Sequence, residues 1–502
     1  MDNIIIIGGG VSGLSAGIFA QKAGFKCRIF EKNSDVGGAL AAWERNGFLI
    51  DGCIHWLTGT NKNTELFDIW KTLNVCDGEN TVYTEYFYKS EFENESISFY
   101  PDADKTKEEM LKSSPVDKAE INRFFNAVKA AQSLSNKQID GAYSNLKCYA
   151  ILSRYIPLNL EKLSQKFHSP LLKRAFTDYI DGEFSSLGLI LAYGAYSSQN
   201  AGFPIGGSGE TAKRMSEEFL SCGGEIYLNS EVEKIVLNGN KADGILLKDG
   251  SFFECDYIIC ATHPKLTFEK FLNKKMPAVY INHGNNKKKY PTFSSLHFAF
   301  SVDANTVPFK STVVFECESI FYDEKEKTRL AVREFSHDST FTKNGKYIIQ
   351  CMLFVHEKTA DEWINLRKEN KNEYFEQKNK LGKIIAERII AQYPELAGKI
   401  NLVDAWTPAT FERYLNTEHG AYMSFAVTEN CIPHKLSEKI PDVENAVMAT
   451  QWLSSPGGLP IAARKGKNAV DIIVRKSKKH AKSDSDDKYS KRSKLLKPNE
   501  AP

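Results

Sequence analysis

At 502 residues the chain is too long for one simple core, and its 42% hydrophobic and 25% charged content is ordinary for a globular enzyme. A net charge of +2 exerts no global pull on nucleic acid, so no nucleic-acid partner is expected. Ten cysteines without a Cys-x-x-Cys pair, a first strand too near the N-terminus to leave room for a signal peptide, and no apolar run long enough to span a membrane point to the cytoplasm.

Ile4-Ile5-Ile6-Ile7 has the β-branched, unbroken apolar character of a strand buried on both faces. Gly8, Gly10 and Gly13 follow at once, in Gly-x-Gly-x-x-Gly spacing. The first glycine permits a tight turn, the second lets a pyrophosphate approach the backbone, and the third lets the next helix lie against the strand. That helix starts near Val11 and Ser12, so its N–H groups and dipole face the pyrophosphate. Cys27 to Phe30 is expected to be the second strand, and Glu31 ends it, eighteen positions after Gly13, where a carboxylate meets ribose hydroxyls. Lys32 follows in the same turn. The pattern predicts a site for an ADP-containing cofactor.

A second glycine turn, Gly37-Gly38-Ala39-Leu40, precedes a strand that runs into the loop Asp51-Gly52-Cys53-Ile54-His55. Residues 64–74 have helical periodicity. Aromatic-rich strands are expected at Val82-Tyr83, Tyr86 to Tyr88 and Ile97 to Tyr100, and a largely helical region from Lys105 to Gln199. Two of its apolar stretches, Tyr149–Leu160 and Leu187–Tyr196, are candidate cavity walls or ordinary helix core.

Pro204 to Gly209 leads into a helix, then a turn and strands around Gly223–Leu228 and Val232–Val236. A hairpin is expected at Lys248-Asp249-Gly250-Ser251, and a buried strand from Cys255 to Ala261. Residues 266–424 have the pattern of an α+β insertion, with strands at 295–301, 313–317 and 346–354 and a helix at 373–392. A last strand, Ala446–Thr450, precedes Trp452 and the turn Pro456-Gly457-Gly458-Leu459, then a helix. From Arg475 onward ten Lys/Arg outnumber four Asp/Glu, so residues 475–502 are expected to be a disordered basic tail, solvated or touching anionic lipid.

Together these segments resemble the flavin-dependent amine oxidase superfamily, and within it the phytoene desaturase, carotenoid isomerase and retinol saturase branch. The resemblance rests on the opening fingerprint with Gly37-Gly38, on Pro204-Ile205-Gly206-Gly207 with Gly223-Gly224-Glu225 and Val232, on Thr407 to Tyr414 with Gly420-Ala421-Tyr422, and on Trp452 to Leu459. It departs from the superfamily at Ala39, where many members carry Arg, and Asp51 to His55 resembles the saturase-like pattern.

The resemblance implies an α/β fold: a discontinuous two-dinucleotide-binding FAD domain (residues 1–90, 205–265 and 425–474) and an inserted α+β substrate domain (91–204 and 266–424). It implies FAD, held by Gly8, Gly10, Val11, Ser12, Gly13, Glu31, Lys32, Gly38, Ala39, Leu40, Val232, Ala261, Trp452, Gly457, Gly458 and Leu459. The turn at Leu459 favours FAD over NAD, since a helix N-terminus there can face the pyrimidine end of the flavin ring. The implied reaction is desaturation, saturation or isomerisation of a polyene or other isoprenoid by hydride exchange with flavin N5, with no metal and an unspecified electron acceptor.

His55 is the candidate catalytic residue, either donating a proton or packing under the ring. Asp51 is expected to fix the loop or a ribityl hydroxyl. Cys53 is a buried filler or a covalent flavin attachment. Glu412 and Arg413 are candidate ion-pair partners, His263 a loop residue, and His419 and Tyr422 candidates to face the substrate. Peripheral membrane contact stays open. An amine substrate is the alternative within the class, and a prenyl-binding carrier resembling the Rab GDP dissociation inhibitors the alternative outside it.

Overall fold

Four consecutive isoleucines set the first layer of the structure. In a computed structural model, which describes residues 2–135, 142–324, 326–429 and 435–495, they form the strand Asn3–Ile7 at the centre of a five-stranded parallel sheet. Lys26–Phe30 and Glu225–Tyr227 lie on one side of it, and Tyr257–Cys260 and Ala446–Met448 on the other. Alternate side chains serve opposite layers. Ile4, Ile6, Ile29 and Ile259 join the core that holds the helix Val11–Lys22. Ile5, Ile7, Phe30 and Ile258 join the core beneath a three-stranded antiparallel sheet built from Val232–Asn238, Lys241–Leu247 and Phe252–Glu254. Each isoleucine is at most 3% exposed, and burying such a side chain stabilises the fold by about 1.5–3 kcal/mol.

The last helix, Leu459–Leu495, docks on the first, where Ser15 Oγ donates to the Ala463 carbonyl at 2.7 Å. It continues to Leu495, across most of the basic stretch after Arg475 that is expected to be a disordered tail. Extending a helix that is already docked costs far less than nucleating one, and Lys, Arg and Ala are good helix formers. Residues 136–141, inside the expected helical region, and 430–434 and 496–502 lie outside the described residues.

An eight-stranded sheet forms the second unit. It runs in the order Asn401–Trp406, Ser294–Asp303, Lys346–Val355, Glu326–Glu334, Thr312–Phe321, Lys89–Phe92 and Glu95–Ser98, with Thr342–Lys343 paired beside Lys346–Val355. One face packs on the helix Lys371–Gln392 through Leu330, Val332, Ile349, Ile385 and Ile389. The other face is turned toward the nucleotide-binding sheet. A helical cluster with its own core, including Phe124, Phe176 and Tyr193, closes the third side.

Two local expectations differ. Tyr86–Tyr88 is irregular, and the strand begins only at Lys89. The strands Glu326–Glu334 and Asn401–Trp406 are additional to those expected.

Candidate active site

The turn after the first strand separates two uses of glycine. A Cβ on Gly13 would lie 1.9 Å from the Gly8 carbonyl oxygen, so bare backbone is needed there for packing. At Gly10 the backbone is extended, with φ −74°, and the nearest protein atoms to a Cβ are 3.7 Å away, at Gly37 O. Protein atoms leave room for a side chain at Gly10, and the residue lines the main cavity. The missing side chain keeps that cavity clear. The helix Val11–Lys22 starts here with no side-chain cap and no acidic residue in its first turn, leaving its N-terminal N–H groups for an anion.

Glu31 is buried. Its Oε2 accepts from Gly9 N at 2.8 Å, and its Oε1 accepts from the backbone and side-chain nitrogens of Asn33, both at 2.9 Å. The carboxylate thereby braces the glycine turn from the end of the second strand. Lys32 turns its ammonium outward to the Arg413 carbonyl at 2.8 Å.

The far wall comes from the end of the chain. Gln451 Oε1 accepts from Gly458 N at 2.7 Å, and its Nε2 donates to the Tyr422 carbonyl at 2.9 Å. This fixes the turn from which the last helix starts, with no acidic residue in its first turn. Trp452 is buried against His263, with ring centroids 4.4 Å apart.

Between these walls runs one cavity of about 960 Å³, at the upper end of the size of small-molecule sites. Gly8, Gly10, Val11, Ser12, Glu31 and Lys32 line one end, with Gly38, Ala39 and Leu40. Val232, Ala261, Trp452, Gly457, Gly458 and Leu459 also border it, as does His55. Gly13 stands behind this lining, at the helix–strand contact. Away from these residues the lining is rich in aromatic and aliphatic side chains, Phe87, Tyr88, Tyr179, Phe184, Leu191 and Phe354 among them, with Asp178, Asp181, Glu326, Lys327 and Arg329 as charged members. Of the two candidate walls, the helix Ser186–Tyr196 contributes Gly188, Leu191, Ala192, Ala195 and Tyr196. Tyr149–Leu160 contributes nothing to the lining; Leu152, Tyr155 and Leu160 pack into the helical core.

The loop carrying His55 is held at both ends. Asp51 accepts from Cys53 N at 2.9 Å, Ile54 N at 3.1 Å, Ser208 N at 2.7 Å and Ser208 Oγ at 2.6 Å. Arg333 Nη1 donates to the Ile54 carbonyl at 2.7 Å. Among the described residues nothing hydrogen-bonds the His55 ring, which faces the cavity. Burial, then the charge of Arg333 and the nearby His297, hold its pKa well below 6.5, so the imidazole is neutral at pH 7. Burial pushes the Cys53 thiol up to about 12.

Of the other candidates, Tyr422 lines the cavity and stacks on Phe411 at 4.7 Å. His419 faces away, paired with Asp361 at 2.8 Å. His263 lines the cavity, and burial brings its pKa down to about 4. Glu412 pairs with Lys368 at 2.9 Å, whereas Arg413 stacks its guanidinium on Tyr414.

Sequence reasoning missed Arg329, Arg333 and His297, all in the lining, along with Asp178. The signal was present in Arg329-Leu330-Ala331-Val332-Arg333. Period-two alternation puts both arginines on one face of a strand whose other face is apolar.

A family model described as flavin containing amine oxidoreductase matches residues 11–474. The chain belongs to this family. It is an FAD-dependent oxidoreductase, and the open cradle at Gly10, the uncapped helix and the buried Glu31 fit that cofactor.

Among relatives of this oxidoreductase is the chloroplastic prolycopene isomerase of Arabidopsis thaliana, 24% identical over 454 residues, covering 83% of this chain and 73% of the relative. A 4,4'-diaponeurosporene oxygenase of Staphylococcus aureus is 20% identical over 513 residues, covering 96% and 99%. A 4,4'-diapophytoene desaturase of Methylomonas is 25% identical over 281 residues, covering 51% and 53%. Among solved structures, an oxidoreductase from Methanosarcina mazei superposes with TM-score 0.62 at 14% identity, covering 94% of this chain and all of that one. A putrescine oxidase variant gives 0.58 at 13% identity, covering 95% and 99%. At such identities the structural likeness concerns the fold.

Proposed function

We propose that this oxidoreductase acts on a long apolar polyene or isoprenoid, and desaturates, saturates or isomerises its carbon–carbon double bonds. The observation that carries this reading is that one cavity takes in both the Gly10 cradle and a large set of aromatic and aliphatic side chains. The names of the relatives support the same substrate class.

In this reading residues 1–90, 205–265 and 425–474 hold FAD, and residues 91–204 and 266–424 hold the substrate. The N–H groups at Val11 and Ser12 take the pyrophosphate, Glu31 the ribose, Val232 the adenine side, and the N-terminus at Leu459 the flavin ring. FAD when bound supplies hydride exchange at N5 with a carbon–carbon bond. The chain's own part is to align the polyene, exclude water, and hold His55 as a neutral imidazole able to take up a proton or donate a hydrogen bond. Leu191, 45% exposed and also part of the lining, is where a lipid-dissolved substrate would enter from a membrane surface.

An amine substrate is less favoured, because the cavity presents the cation of Arg333, and among the described residues no carboxylate forms an ion pair with it. The carrier alternative leaves the open glycine cradle without a purpose.

The test is product analysis. FAD-loaded protein is incubated anaerobically with polyenes of different length, once oxidised and once reduced. A polyene recovered with altered conjugation or geometry supports the reading. Unchanged polyenes, together with an amine that reduces the flavin, would replace it with amine oxidation.

A further inference from the structure

Arg333 is a buried charge in the cavity lining to which the long-chain reading gives no role. It is 8% exposed, on the cavity face of the strand Glu326–Glu334. Its guanidinium lies against two aromatic rings, 4.7 Å from the centroid of Phe203 and 4.3 Å from that of Phe335. Nη1 is spent on the Ile54 carbonyl. Among the described residues, Nε and Nη2 have no hydrogen-bond partner, yet neither is among the sealed, unsatisfied nitrogens of the structure. They therefore open onto the cavity. Asp51 and Glu334 are near enough to act on the charge, but Asp51 is committed to its own loop and to Ser208, and Glu334 accepts from Ser311 and Ser336. His55 and His297 complete the surroundings, both held neutral by burial.

Once an apolar chain displaces water from the cavity, a guanidinium without a paired carboxylate is costly unless the bound molecule supplies an acceptor. A hydrocarbon has none.

We propose that Arg333 is a specificity-determining residue whose free N–H edge takes an acceptor oxygen, a carboxylate or carbonyl, on an otherwise apolar chain. The proposal rests on the long-chain reading above and narrows it to an oxygen-bearing substrate. The two ring contacts and the bond to the Ile54 carbonyl orient the fork, and its positive charge disfavours a cationic head group.

The test uses the FAD-loaded protein and two probes of equal chain length, hexadecanoate and hexadecylamine, titrated while the flavin absorption is followed. The wild type is expected to bind the carboxylate at least about tenfold more tightly than the amine. Arg333→Met is expected to bring the two within about threefold, and Arg333→Lys to keep most of the preference. Equal binding by the wild type would overturn the proposal without any variant, so a folding failure of Arg333→Met does not shield it. A preference that survives in flavin-loaded Arg333→Met would also overturn it. So would a variant whose flavin potential shifts while its head-group preference does not, since the charge then serves the cofactor. If neither probe binds, the long-chain reading falls with it; if both bind alike, only the role of Arg333 falls.

Discussion

The carbonyl oxygen of Gly8 occupies the space that a Cβ on Gly13 would need, 1.9 Å from its ideal position. The helix is thus pressed against the strand end from which it departs, and this contact aims its N-terminus into the cavity. Gly10, between them, meets no such obstacle. Gly13→Ala should destabilise the protein by about 3 kcal/mol or more through overpacking against backbone. Gly10→Val should melt close to the wild type yet retain FAD at least about tenfold more weakly. Thermal melts with and without added FAD distinguish the two; equal loss of stability in both variants would contradict the assignment.

A second prediction concerns the buried pair Asp178–Arg329. Arg329 Nε donates to Oδ1 at 2.6 Å and Nη2 to Oδ2 at 2.5 Å, and Ser90 Oγ adds a bond to Oδ2 at 2.6 Å. Their side chains are 2% and 9% exposed. Asp178→Asn strands a buried cation and should cost about 3–5 kcal/mol. Asp178→Leu combined with Arg329→Met should recover much of this loss, since an apolar pair of matching volume replaces both charges. Denaturant unfolding of the single and double variants is the check.

Stability should also depend on pH through histidines. Burial lowers His297 to about 3 and His263 and His337 to about 4, and it depresses His55 as well. Below about pH 6.5 the unfolded chain takes up protons that the folded chain refuses, so stability falls as the pH drops from about 6.5 toward 4. His356 has the opposite sign. Its hydrogen bond to Glu183 is the largest effect and, with the bond to Asp323, raises it to about 9. Its contribution is complete below about 6.5 and is lost as the pH rises through 9. Melting temperature against pH should decline on both sides, and His356→Gln should flatten only the alkaline side.

Cys53 bears on how the flavin is held. With its thiol pushed up to about 12 by burial, almost no thiolate is present at neutral pH. Denatured holoprotein should therefore release all its flavin into the supernatant, and Cys53→Ala should retain as much FAD as the wild type. Flavin that stays with the precipitate in the wild type and is freed in the variant would show a covalent bond.

The nucleotide-binding half was legible because its signals are local. Ile4–Ile7, the three glycines and Glu31 lie within one short stretch, and each residue type has one dominant structural reason. The substrate half was harder. Arg333 meets the Ile54 carbonyl, next to His55, across 279 positions of sequence. Asp178 meets Arg329 across 151. Such pairs follow from how separate units stack, which no periodicity encodes. The strand Glu326–Glu334 was overlooked because its charged cavity face resembles a solvated loop. For Tyr149–Leu160 the sequence leaves cavity wall and helix core equally open, because an apolar helix has the same composition whether it faces a cavity or a neighbouring helix.

Bound FAD and a long apolar chain are expected to share one cavity. The most direct test is an anaerobic titration of the FAD-loaded protein with a polyene, recording the flavin band near about 450 nm together with the polyene bands. Both should change together and saturate at one polyene per flavin. A flavin spectrum indifferent to every polyene, but bleached by a simple amine, would contradict it.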